Sequence, residues 1–153
     1  SGTFSDGEGH FPTGWYLRNP PGSSHQPYSE AGAVIFVKLQ QMPAHEQTPV
    51  RTNTHDPAAW RNEHGREICP LFAGDHEQVC LLRLAPHQSL FTQPMNGAEL
   101  MVLAGDVMMN TQAYERGSWM RFPTGDSPGI AAGANGATVY CKTGHLAGMA
   151  VEA

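Results

Sequence analysis

The chain has 153 residues, a formal net charge of −5 and only 15% charged residues, which suits one good core or one domain plus part of another. Its nine Lys and Arg are scattered, which argues against a nucleic-acid partner, since that needs a basic stripe to neutralise phosphates. With no apolar run long enough for a bilayer and no signal-peptide pattern at the first residues, no membrane partner and a cytoplasmic setting are expected.

In chain order, Ser1–His10 is small and polar, and Phe11–Arg18 is a short aromatic strand candidate. Asn19-Pro20-Pro21-Gly22 is a turn, with Pro fixing φ at the corner and Gly freeing the chain behind it. Ala33–Gln40 alternates and is β-branched, which predicts a strand with Val34, Phe36 and Lys38 on one face and Ile35, Val37 and Leu39 on the other. Residues 43–62 hold turn residues without a period and read as a connection, in which Trp60 packs onto a neighbouring surface. Strands follow at Gly65–Phe72, Gln78–Leu84, Glu99–Leu103, Val107–Met109, Trp119–Phe122 and Thr138–Thr143, with a tight turn expected at Gly105-Asp106. No segment has a convincing helical stripe, and Gly (17) and Pro (12) fall between short apolar runs, as in an all-β sandwich or barrel. Cys69, Cys80 and Cys141 have no CxxC spacing and sit beside apolar residues, so they read as buried reduced thiols rather than zinc ligands or a disulfide.

The chain also repeats itself. Gly14-Trp15-Tyr16-Leu17-Arg18-Asn19-Pro20-Pro21-Gly22 returns as Gly117-Ser118-Trp119-Met120-Arg121-Phe122-Pro123-Thr124-Gly125, with Arg18 and Arg121 103 residues apart. Gly32-Ala33-Val34-Ile35-Phe36-Val37-Lys38 returns as Gly136-Ala137-Thr138-Val139-Tyr140-Cys141-Lys142 at a spacing of 104, so one residue is inserted between the blocks. A period this long marks a duplicated domain rather than a solenoid. A strand, a Pro-Gly corner carrying His25 and a further strand make the second half of a small jelly-roll barrel, in which the corner turns the His toward the barrel mouth. In the second copy Pro128 stands where His25 stands in the first.

Gly2-Thr3-Phe4-Ser5-Asp6, the Arg18-Asn19-Pro20-Pro21-Gly22-Ser23 block, His25-Gln26-Pro27 and Val37-Lys38-Leu39 together resemble the ChrR-type cupin domain. The second copy resembles it through Gly97–Asp106, Gly117–Pro123 and Lys142–Leu146. The resemblance implies an all-β cupin jelly-roll (RmlC-like) barrel: residues 1–42 as the C-terminal half of a first repeat, 43–65 as a connection, and 66–153 as a nearly complete second cupin. It implies a divalent metal, zinc or iron, held by a His-x-His and a Glu on one motif and a His on another. Carried over residue by residue, His25 is the second-motif ligand of the first copy, whose partner ligands belong upstream of Ser1. In the second copy Glu99 matches the first-motif Glu, but Thr92, Pro94 and Pro128 fall where the imidazoles belong, so that cupin reads as degenerate and without a metal of its own. Open sheet edges in the first half-barrel predict a homodimer.

Each candidate also has a plainer reading. His25 is either a metal ligand or a corner His bonded to its turn. His10 with Glu8 is an alternative, makeshift ligand pair that reads rather as a solvated loop, Asp75-His76-Glu77 reads as a polar turn, and His87 and His145 as surface residues. Arg18 and Arg121 suit a structural fork onto carbonyls or a carboxylate, with Asp6 and Asp106 as possible acceptors. Met95, Met101, Met108, Met109 and Met120 read as filling for the second barrel. Glu99, Arg121, Trp119 and Met101 are the pocket candidates, and no residue stands out as catalytic or as holding an organic cofactor. The resemblance points first to a regulatory, anti-sigma-factor-related module, which would meet a sigma factor only through a separate upstream domain. The competing expectation is a metal-dependent dioxygenase-like enzyme whose first-motif ligands lie upstream of Ser1. A small-molecule-binding or structural domain without chemistry is the third.

Overall fold

A computed structural model of the chain describes residues 1–39, 42–126 and 128–146. It divides into two compact units, Ser1–Ala59 and Trp60–Ala153. Its regular structure is all β apart from one 3-10 turn at Pro57–Ala59, and every strand pairing is antiparallel.

The second unit is one seven-stranded sheet of β5 (Arg61–Glu63), β6 (Arg66–Ala73), β7 (Gln78–Leu84), β8 (Asn96–Met109), β9 (Gln112–Glu115), β10 (Trp119–Thr124) and β11 (Ile130–Thr143). Its order is β10-β8-β11-β7-β6-β5, with β9 on the far half of β8. Apolar residues alternate along these strands, so one face buries Leu82 and Leu84 of β7, Ala98, Leu100 and Val102 of β8, Met120 and Phe122 of β10, and Val139 and Cys141 of β11. This antiparallel, all-β architecture agrees with the expected fold class. Met120 lies in that core and Met95 and Met109 pack against it, so part of the methionine cluster fills the barrel.

The first unit contains the hairpin β1 (Thr3–Asp6) and β2 (Gly9–Pro12), and the pair β3 (Trp15–Arg18) and β4 (Val50–Asn53). The repeat holds to the level of register. Thr3–Asp6 and Gly9–Pro12 shifted by 103 fall on Asp106–Met109 and Gln112–Glu115, which also pair as a hairpin. The bridge Ser5↔Tyr28 becomes Met108↔Ala131, and Gly2↔Ala33 becomes Gly105↔Ala137. Between these two pairings the spacing changes from 103 to 104, so the inserted residue sits in the bulge between Ala132 and Ala137. Gly2 (φ 79°) and Gly105 (φ 67°) share the left-handed conformation. In each, a Cβ would strike the carbonyl oxygen of the matching glycine, Gly32 or Gly136.

Phe11–Arg18 holds a short aromatic strand, as expected, in β3, with Thr13-Gly14 turning between β2 and β3. Three expectations change. Gly105-Asp106 is no turn; β8 runs through it for 14 residues. Val34–Leu39 forms no strand, and Val34 and Leu39 are 75% and 79% exposed, whereas the matching residues of the second copy lie in β11 between β7 and β8. Gln40, at the end of that expected strand, lies outside the described residues. The expected connection is also structured, since β4 lies within it and takes the pairing of β3.

Candidate functional site

His25 follows the Pro-Gly corner after β3 and is exposed. Asn19 Nδ2 lies 3.0 Å from His25 Nδ1, and the Phe4 ring meets the imidazole edge-on at 6.2 Å. The side chain that orders this corner is Arg51 of β4. Its Nη2 donates to Asn19 Oδ1 at 2.7 Å and to Glu8 Oε2 at 2.6 Å, and its Nη1 donates to the carbonyls of Val50 (2.9 Å) and Arg18 (3.1 Å). Because Arg51 takes the amide oxygen of Asn19, the amide nitrogen is the group that faces His25. An amide nitrogen only donates, so Nδ1 accepts and the proton of the neutral ring sits on Nε2. The described residues contain no group of three His, Cys, Asp or Glu able to hold a metal ion. Of the ligand set that the resemblance implies for the first copy, the described residues supply His25 alone.

The alternative ligand pair is also engaged elsewhere. His10 Nδ1 lies 2.9 Å from Ser5 Oγ across the β1–β2 hairpin, and Glu8 is paired with Arg51. Asp6 is buried, with Oδ1 accepting the Glu8 amide at 2.8 Å.

The four pocket candidates of the second copy come together. Trp119 pairs with Met101 and Arg121 with Glu99 along the β10–β8 ladder. Their neighbours Met120, Phe122, Ala98, Leu100 and Val102 face the core, so strand alternation puts the four on the opposite face of the sheet. Glu99 is fully buried; Arg121 donates to its Oε1 from Nε at 2.9 Å and from Nη2 at 2.5 Å. Arg121 lies 5.6 Å from the centre of the Trp119 ring, and half of Trp119 is exposed.

His145 was expected at the surface, yet it is 12% exposed and its Nε2 lies 3.3 Å from Glu99 Oε1. Glu77 does more than make a turn, pairing with the buried Lys142 at 2.5 Å. Lys142 sits directly across the ladder from Glu99, so its place on the face of Glu99 was readable from the repeat once register was known. Both recurrent arginines hold a carboxylate, but not the aspartates considered for them. Arg18 binds Glu46 through Nε (2.7 Å) and Nη2 (2.9 Å), and Arg121 binds Glu99. His87 is exposed, as expected, and the Trp60 ring carries the Arg83 guanidinium 3.7 Å above its centre.

Residues 1–43 match the ChrR cupin-like domain. That ChrR cupin-like segment spans β1 to β3 and the His25 corner. No curated protein matches the chain. Among solved structures, the complex of Rhodobacter sphaeroides SigE with the anti-sigma ChrR is similar at 21% identity and a TM-score of 0.47, over 55% of this chain and 48% of that one. The chain thus spans about half the length of that relative. An RmlC-like cupin from Shewanella frigidimarina is similar at 10% identity and a TM-score of 0.48, over 55% and 80% of the two chains. The Schizosaccharomyces pombe Cnp3 cupin domain is similar at 11% identity and a TM-score of 0.47, over 63% and 77%. Among the described residues no helix is long and apolar enough to cross a membrane.

Proposed function

We propose that the chain is a ChrR-like regulatory cupin module, descended from a metal- or small-molecule-binding barrel, in which neither copy builds a metal shell from its own residues. The supporting observation is the His25 corner. It lies inside the segment that matches the ChrR cupin-like domain, yet Arg51 and Asn19 set it as a hydrogen-bonded corner. Glu99, the other residue assigned to a shell, is fully buried and held by Arg121. The proposal places the protein in the cytoplasm as a homodimer, for which the exposed apolar run Val34–Leu39 gives a surface. A sigma factor would be met only through a separate domain upstream of Ser1.

Metal analysis of the purified chain tests this reading. The expected result is well under one equivalent of zinc, iron or manganese. His25→Ala is expected to leave unfolding stability within about 1 kcal/mol, as for other exposed positions. One equivalent of metal that His25→Ala abolishes would overturn the proposal and favour the metal-dependent enzyme instead.

A further inference from the structure

Cys80 and Cys141 are direct partners in the ladder between β7 and β11. Both point to the core face: Cys141 belongs to the buried cluster and Cys80 packs against it. Directly opposed residues in an antiparallel pair have Cα atoms about 4.5 or 5.5 Å apart, depending on hydrogen bonding. Both values lie inside the range of about 4.4–6.8 Å that a disulfide spans. Cys69 is next to them in space but not in geometry. It pairs with Leu81, one residue along from Cys80, so alternation sends its side chain to the other face.

From this juxtaposition we infer that Cys80 and Cys141 are a peroxide-oxidisable pair that closes to a cross-strand disulfide. The two members are unequal. Cys80 is half-buried and Cys141 is buried, so an oxidant reaches Cys80 first. The Cys141 thiol donates to Cys80 and holds its pKa below the ordinary thiol value, against burial and the nearby Glu63 carboxylate. The same bond, together with burial, pushes Cys141 well up. Cys80 is therefore the nucleophile and Cys141 the resolving thiol.

In the first step the Cys80 thiolate attacks hydrogen peroxide, the O–O bond breaks, hydroxide leaves and Cys80 becomes a sulfenic acid. In the second step the Cys141 sulfur attacks that sulfur, the S–O bond breaks and water departs with the thiol proton. Overall, two thiols are oxidised and one peroxide is reduced to two waters. The inference is independent of the regulatory reading, because it needs neither a metal nor a partner protein.

The test treats the reduced, folded chain with a small excess of hydrogen peroxide, then blocks free thiols and maps peptides without reduction. The expected result is loss of two of the three alkylatable thiols, with one cross-linked peptide joining Cys80 to Cys141 and Cys69 still alkylated. Cys141→Ser is expected to accumulate sulfenic acid on Cys80, trapped by dimedone. Cys80→Ser is expected to lower dimedone capture at Cys141 at least tenfold relative to that. If Cys80 and Cys141 both remain alkylatable in the unmutated chain at a peroxide dose that oxidises its half-buried methionines, such as Met42 and Met101, the pair is packing alone and the inference fails. A dominant cross-link to Cys69 also overturns it.

Discussion

Buried charge in this protein is handled by pairing, and the pairs differ widely in how much water they see. Lys142 and Glu77 are 2% and 11% exposed, whereas Arg61 and Glu63 are 62% and 40% exposed. Removing one partner of a buried pair leaves an uncompensated charge, at a cost of about 3–5 kcal/mol, while an exposed pair contributes about 0–1 kcal/mol. Glu77→Ala is accordingly expected to destabilise the second unit by about 3 kcal/mol in urea unfolding, and Arg61→Ala by less than about 1 kcal/mol. Equal effects would mean that Lys142 relaxes to another acceptor. At this scale the sequence was legible where residue type fixes the role. Arg18 and Arg121 recur, and an Arg fork seeks a carboxylate. It was not legible where the partner is remote, since nothing in the local pattern joins Arg18 to Glu46, Lys142 to Glu77 or His145 to Glu99.

Among the elements, the glycine pair Gly105/Gly136 is the joint of the second unit. Gly105 holds a left-handed φ, and any Cβ there would lie on the Gly136 carbonyl oxygen. Gly117 is also left-handed, but a Cβ there meets open space. Gly105→Ala is therefore expected to cost more than about 2 kcal/mol and Gly117→Ala about 1 kcal/mol, read from thermal melts of the two variants. The same glycines explain what the sequence concealed. Gly-Asp after an apolar run reads as a turn, yet here it carries β8 through a bulge. Alternation in Val34–Leu39 reads as a strand, but a strand needs neighbours: Thr138–Thr143 has β7 and β8 beside it, while among the described residues Ala33 forms an isolated bridge to Gly2 and Val34 exchanges backbone hydrogen bonds with Ser1. Periodicity records which residues would share a face, not whether a ladder is there to receive them.

On the scale of the whole molecule, the duplication was readable because turn residues and arginines keep their spacing, and the structure extends it to strand register. Apolar side chains left in water at Val34 and Leu39 favour burial by self-association. Light scattering across a dilution series is expected to report a dimer, and Val34→Lys with Leu39→Lys to weaken it at least about tenfold, since each apolar side chain contributes about 1.5–3 kcal/mol when buried. A monomer at all concentrations would exclude this surface as the dimer contact. The two arginine latches carry one more implication. In the second unit Arg121 meets a carboxylate from a strand that precedes it in the chain, but in the first Arg18 meets Glu46, which follows it. The duplicated cation has thus been supplied with an anion of different ancestry. Superposing the repeats by sequence would never pair Glu46 with Glu99, though each neutralises the arginine at the matching position of its repeat.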